Sequence, residues 1–342
     1  MKAIVQRGYG APEDVLRLQE IDKPSATDGE VLVRVRAASV HPDVWHMVTG
    51  VPYALRLMGA GFRRPKNVVP GTDMAGEVES VGRNVTRFKP GDAVFGECVR
   101  GHQWHNGGAY AEYVCVPERA LALKPSSVSF EQAASVPTSG LLAVQSLCVQ
   151  GRLRAGHKVL VNGAAGGVGA IAVQLAKAYG AEVTGVDSVE KLELIRSLGA
   201  DRVIDYARED FTQGRERYDL ILDVPGNRRL AEYRRVLSFG GIWVLVGHEH
   251  FGAQGRRWLG GIGRGLALVA AAPFVPGLPR WRNPKSATPP LLLLADLMEV
   301  RKLTPVIDRT FALAEVSGAL RYLAEGRARG RIVIGLEPAA LG

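Results

Sequence analysis

"VLVNGAAGGVGAIAVQLAK" occupies residues 159 to 177, and its reading decides the fold. The opening apolar run reads as a short buried strand and the glycines as a turn. Val168, Ile171, Ala172, Leu175, Ala176 and Tyr179 then recur at helical spacing and mark one apolar face. A glycine-rich turn set directly between strand and helix is the context in which a dinucleotide fingerprint carries chemical meaning. Ala164 stands at the first glycine position, Gly166 lets backbone approach a pyrophosphate, and Gly169 lets the helix lie close on the sheet. The helix start near Val168 offers N–H groups and a positive dipole end to phosphates.

Downstream the alternation continues. "AEVTGVD" reads as a strand, "VEKLELIRSLG" as a helix and "RVID" as a strand; "YDLILD", "RRLAEYRRVLS" and "GGIWVLVG" repeat the pattern. Repeated β-α-β units predict a parallel sheet covered on both faces. Asp187 closes the second strand, 18 residues past Gly169. A carboxylate there would bond the adenine ribose hydroxyls and favour NAD, whereas Lys191 and Arg208 would favour a 2′-phosphate. One residue out of register, Asp187 would instead cap the next helix. Spacing leaves the choice between NAD and NADP open.

Upstream the texture is β-rich. "EVLVRVRAASV" alternates Val31, Val33 and Val35 with Arg34 and Arg36, the period of a half-buried strand. Gly71, Gly76, Gly82, Gly91 and Gly96 then separate short Val-rich runs, which predicts a small, strongly bent barrel. The last stretch, "RTFALAEVSGALRYLAEGRARGRIVIGL", reads as strand, amphipathic helix and strand. It is expected to rejoin the first domain, because the helical "LLLLADLMEVRKL" has already completed the α/β unit.

A chain of 342 residues fits two domains, and 46% hydrophobic with 23% charged residues is ordinary for a soluble globular protein. Cys98, Cys115 and Cys148 are sparse and unpaired in sequence, which argues for a reducing, cytoplasmic setting. The longest apolar run is broken by Pro273, Pro276 and Pro279, so no membrane span is expected. The net charge of +9 is uneven: from Phe251 to Ala295 there are Arg256, Arg257, Arg264, Arg280, Arg282 and Lys285 and no acidic residue. Such a stretch suits anionic lipid or nucleic acid, or is simply a solvated face. No nucleic-acid-reading motif accompanies it, and no nucleic-acid partner is expected.

"SVHPDVWH" (39 to 46) and "GHQWH" (101 to 105) raise a metal question through His41, His46, His102 and His105. The blocks "AASVHP", "PGTDMAGEVESVG", "PGDAVFG", "GGAYAEYVCVP", "AASVPTSGLLA", "NGAAGGVGAIAVQLAK", "LGADRVIDY" and "ARGRIVI" settle its weight. In that order they resemble the medium-chain dehydrogenase/reductase superfamily, in its zinc-independent quinone oxidoreductase-like branch. The resemblance implies an α/β protein: a GroES-like β-barrel catalytic domain (1–124 with 307–342) and a Rossmann doubly wound parallel sheet binding NAD(P) (125–306). It also implies a homo-oligomer, a homodimer or a tetramer, with the homodimer expected.

Zinc-dependent relatives carry Cys at the position of His41 and Gly-His-Glu where this chain has Gly71-Thr72-Asp73, so no zinc is expected and "SVHPDVWH" reads as a pocket wall. Without a Lewis acid the easier chemistry is hydride transfer from NAD(P)H to a quinone, enone or enal, with donors for the oxygen that gains charge. His41, Tyr53 and Thr138 are the candidate donors, His41 with an ordinary pKa of about 6.5. The resemblance places Ala165, Gly166, Gly167 and Val168 at the pyrophosphate. Asp187, Lys191 and Tyr206 fall at the adenine end, Val246 and Gly247 near the nicotinamide, and Arg331 beside the cleft. The branch implies NADP, with NAD kept open by Asp187. An alcohol dehydrogenase, or a nucleotide-binding sensor without turnover, are the competing functions. The stretch from about 251 to 290 is expected to face the cleft or the subunit contact.

Overall fold

The computed structural model describes residues 1–98, 106–247, 257–279 and 287–336. His102, His105, Arg256, Arg280, Arg282 and Lys285 lie outside the described residues. Strands β1 (Lys2–Gln6) and β2 (Leu16–Glu20) pair antiparallel. A seven-stranded sheet takes β3 (Glu30–Val40), β4 (Asp73–Val81), β5 (Ala93–Glu97), β6 (Tyr113–Pro117) and β7 (Leu121–Leu123). A five-stranded, all-parallel sheet takes β8 (Lys158–Asn162), β9 (Glu182–Asp187), β10 (Arg202–Asp205), β11 (Tyr218–Asp223) and β12 (Leu237–Leu245). The chain then returns to the first sheet through β13 (Ile307–Ala312) and β14 (Arg331–Gly335), β14 pairing antiparallel with β3.

In the parallel sheet the order is β10-β9-β8-β11-β12, so the strand order reverses between β8 and β11. Ligands of such sheets bind outside the carboxyl ends of the strands at that reversal, where the two flanking crossovers leave in opposite directions and open a crevice. The returning helix Val316–Ala324 buries Val316, Ala319 and Leu320, an i, i+3, i+4 stripe, in the same core as Val44 and Val48 of helix Pro42–Thr49. Burying Val316, Leu320, Val44 and Val48 contributes roughly 1.5–3 kcal/mol each, which holds this returning helix beside the first sheet. Among the described residues no helix is long and apolar enough to cross a membrane.

Two periodicities differ from expectation. Helix Gly167–Ala178 buries every residue from Gly169 to Ala176, not a single stripe. It lies between the parallel sheet and helix Pro137–Val144, and small residues such as Ala170, Ala172 and Ala176 allow both contacts. In β3 the alternation ends at Arg36; Ala37 to Val40 are buried on both faces, because helix Phe130–Ala134 covers the side that solvent would take.

Candidate active site

The turn after β8 is shaped by backbone contact. Gly163 takes φ +81°, and a Cβ at Gly169 would stand 2.1 Å from the Gly163 carbonyl oxygen, so the helix can approach only with glycine there. Gly166 is different. A Cβ there would have the Gly163 oxygen at 3.5 Å as its nearest neighbour, so space stands open above the helix start. At Gly167 a Cβ would meet Arg331 Cδ at 2.5 Å and Ser139 Oγ at 3.1 Å. Both of these buried side chains hold an unpartnered polar atom among the described residues, Ser139 Oγ and Arg331 Nε. Buried polar atoms ordinarily find partners, so two orphans beside an uncapped 12-residue helix start fit an anion between them. The residues present therefore fit a pyrophosphate. β14 is tied to this turn, since Gly330 N–H donates to the Ala165 carbonyl at 2.9 Å.

The other expected cofactor residues gather along the same edge of the sheet. Asp187 is buried at the end of β9; its Oδ2 accepts from Ala165 N–H at 3.0 Å and its Oδ1 from Ser188 N–H at 2.9 Å. It thus braces the glycine turn and does not cap the helix Leu192–Ser197. Lys191 Nζ lies 3.8 Å from Asp187 Oδ1, and exposed Tyr206 donates its N–H to the Asp187 carbonyl. Arg208 faces Asp205. Val246 follows β12 and donates to the Asp223 carbonyl, while a Cβ at Gly247 would lie 2.4 Å from the Val224 oxygen.

Across the crevice, β3, β4 and the start of helix Pro137–Val144 converge on Asp73, which is fully buried. Its Oδ2 accepts from Arg331 Nη2 (2.8 Å), Ser39 Oγ (3.2 Å) and Thr138 N–H (3.2 Å). Its Oδ1 accepts from Thr138 Oγ1 (2.5 Å) and Thr72 Oγ1 (3.3 Å). His41 Nε2 lies 2.5 Å from Thr72 Oγ1; with Thr72 donating to Asp73, the imidazole carries its proton on Nε2. Thr138 Oγ1 is also 3.1 Å from Glu97 Oε1. A hydroxyl has one proton, and Thr138 gives it to Asp73, so this second contact needs a proton on Glu97.

The electrostatics agree with that proton count. Burial, and next the Asp73 charge, push the Glu97 carboxyl up. Burial also pushes Asp43 up to about 6, with Asp73 adding to the rise and Arg331 opposing it. His41 moves the other way, down to about 4, because burial outweighs the pull of Asp73 and Arg331 reinforces the fall. His41 is therefore neutral at neutral pH, contrary to the expectation of an imidazole titrating near 6.5; Glu97, raised by burial and by the Asp73 charge, is the group there that takes up a proton most readily. Glu97→Gln tests this. A carboxyl raised by folding contributes stability below its unfolded value and loses it as pH rises through the folded one. Between about pH 5 and about pH 8 the wild type should therefore lose on the order of 1 kcal/mol more than Glu97→Gln in urea unfolding.

Thr138 and His41 are thus brought together, with the Thr138 hydroxyl committed to carboxylates. Tyr53 is not part of the cluster: its ring stands edge-on to Trp258 at 5.5 Å, with the Arg56 guanidinium 4.7 Å from its centroid. His46 turns away as well, donating from Nδ1 to the Val51 carbonyl at 2.6 Å. Among the described residues no group of three or more His, Cys, Asp or Glu side chains is set to hold a metal ion. Asp73 as the centre of this cluster, Glu97 and the orphaned Ser139 escaped the sequence reading. The cluster's local signal was an acid, Asp73, at the start of a strand whose next residues are apolar.

Comparison with known proteins gives two family models, one described as alcohol dehydrogenase GroES-like domain over residues 27–126 and one as zinc-binding dehydrogenase over 198–334. The chain is 34% identical to 2-methylene-furan-3-one reductase of Solanum lycopersicum, covering 98% of this chain and 79% of that protein. It is also 34% identical to the chloroplastic NADPH-dependent alkenal/one oxidoreductase of Arabidopsis thaliana, with the same coverages of 98% and 79%. A solved quinone oxidoreductase from Coxiella burnetii superposes with a TM-score of 0.81 at 29% identity, over 98% of this chain and 99% of that one.

Proposed function

We propose that this chain, which belongs to the medium-chain dehydrogenase/reductase superfamily with the quinone and alkenal oxidoreductases, is an NAD(P)H-dependent reductase of quinones or α,β-unsaturated carbonyls. Arg331 is the observation that carries this reading. One end of its guanidinium pairs with Asp73 in the His41 cluster, and its Cδ, bonded to the unpartnered Nε, packs against Gly167 in the first turn of the helix. A single buried side chain thus joins a phosphate cradle to a proton-holding cluster. The bound nicotinamide supplies hydride. The chain's own groups hold the phosphates, exclude water and keep a proton on Glu97 for the oxygen or carbon that gains electrons.

The reaction is read as metal-free. For Asp73 to ligate a cation, the donors on at least one of its oxygens would have to be displaced, and Arg331, 2.8 Å from Oδ2, would oppose that charge at close range. The donor set does not fit zinc. The same reading takes 1–124 with 307–342 as the catalytic domain and 125–306 as the nucleotide domain, supported by the β14–β3 pairing. It takes the protein as a cytoplasmic homodimer, supported for the compartment by the sparse cysteine content of the sequence, and for the dimer by the family resemblance.

NADPH is the preferred cofactor in this reading. The carboxylate of Asp187 is turned to the Ala165 and Ser188 N–H groups, and Lys191, 3.8 Å from its Oδ1, is with Tyr206 the candidate contact for a 2′-phosphate. Asp187→Ala should then weaken NADPH and NADH alike by roughly ten-fold, since the buried Ala165 N–H loses its acceptor, and leave their ratio little changed. A large gain for NADPH over NADH in calorimetry would place Asp187 at the ribose instead. The function is tested by NADPH oxidation against a panel of quinones, enals and enones before and after exhaustive chelation. Turnover that survives chelation supports the reading. Turnover of alcohols with NAD⁺ alone, lost with bound zinc, would overturn it, as would tight NADPH binding with no acceptor reduced.

A further inference from the structure

Half of the large apolar side chains exposed in the described structure fall in two segments, 44–72 and 257–279. They include Leu57 at 75% exposure, Phe62 at 70%, Trp258 at 76% and Phe274 at 85%. The segments are far apart in sequence but touch. Tyr53 N–H donates to the Arg257 carbonyl at 2.7 Å, Ala54 N–H donates to the Trp258 carbonyl at 3.0 Å, and Gly260 lies against Pro52. Helix Ile262–Ala271, which follows, has no buried residue; Leu266 and Val269 stand in solvent.

Charge follows the same boundary. These two segments hold six basic residues and no acidic one, which is most of the chain's net charge of +9. Arg264 is turned inward onto the Gly226 and Arg228 carbonyls, and Arg56 lies over the rings of Tyr9 and Tyr53. Arg63, Arg64 and Arg257 are exposed.

We propose that this face docks on an anionic lipid surface. Indole, phenyl and leucyl side chains interleaved with arginines suit the boundary between headgroups and acyl chains, where the rings bury and the guanidinium groups meet phosphate. A second copy of the chain is the rival occupant, but a two-fold contact would set arginine against arginine with no acid to answer it. This replaces the expectation that the segment after residue 251 packs in the subunit contact. The face also adjoins the cleft: Val51, whose carbonyl binds His46, leads directly into Pro52 and Tyr53, and helix Pro42–Thr49 begins next to His41. A hydrophobic acceptor dissolved in a bilayer would thus reach the cleft from the docked side. The docking itself rests on the surface and not on the reaction proposed above, and its test uses no turnover.

The full chain is to be sedimented with vesicles of phosphatidylcholine alone and with vesicles containing roughly a third phosphatidylglycerol. Binding is expected only to the anionic vesicles, to fall with salt, and to weaken by roughly ten-fold or more in Arg63→Glu/Arg64→Glu and in Trp258→Ser. Unchanged melting and unchanged NADPH binding establish that the variants are folded. No binding to anionic vesicles, or binding indifferent to these substitutions, overturns the proposal. So does an ultracentrifuge profile in which Trp258→Ser converts a dimer to monomer, since the face then belongs to a second copy.

Discussion

Gly166→Val should weaken NADPH and NADH binding by about 100-fold or more, about 2.7 kcal/mol, while the melting temperature of the cofactor-free protein hardly moves. The separation of the two effects comes from the backbone. Gly166 has φ −75° and ψ 173°, a conformation open to valine, and only the Gly163 oxygen, 3.5 Å away, lies near a Cβ. The protein can therefore accept the side chain. A pyrophosphate drawn to the N–H groups of the first helical turn cannot, because the branched carbon would stand where its oxygens approach. Gly169→Ala is the contrasting control: its Cβ meets backbone at 2.1 Å, so it should lower stability before any question of ligand arises. Fluorescence titration and thermal melts distinguish the two. Full cofactor binding by Gly166→Val would show that the phosphates lie elsewhere.

The contrast between those two glycines also marks how far the sequence could be read. Local periodicity and turn chemistry carried the strand, the turn and the helix at 158–178, and with them the parallel sheet. The return of the C-terminal segment was legible because a strand, helix and strand remained after the α/β unit had closed, and β14 does pair with β3. Burial on both sides of helix Gly167–Ala178 was not legible, since a pattern of small residues does not say what covers them. Nor was the Asp73–Arg331 pair, whose partners stand 258 residues apart, so that no spacing rule connects them. The reading of His41 failed for a related reason. An isolated imidazole titrates near 6.5, but burial beside a guanidinium, visible only once the chain is folded, pushes this one down to about 4. Tyr53 reads in sequence as a candidate donor for the substrate oxygen, whereas its ring contacts in the structure are Trp258 and Arg56.

Arg331→Met should cost about 3–5 kcal/mol in unfolding free energy, because it leaves the fully buried Asp73 carboxylate without its cation. Most of that cost is the stranded charge and little is the worth of the pair itself. Asp73→Asn added to Arg331→Met should therefore restore most of the stability, giving a double-mutant coupling of opposite sign to the single losses. Arg331→Lys should fall between, since an ammonium can answer Asp73 but lacks the planar fork that also reaches Ser39 Oγ at 2.7 Å. Cofactor binding separates structure from function in the same series. If the unpartnered Nε of Arg331 serves a phosphate, the restabilised double variant folds yet binds NADPH poorly, with the loss growing as salt falls and the missing charge matters more. Wild-type affinity in a stable double variant would leave Arg331 a purely structural cation. The phosphate cradle would then rest on Ser139 and the helix start alone.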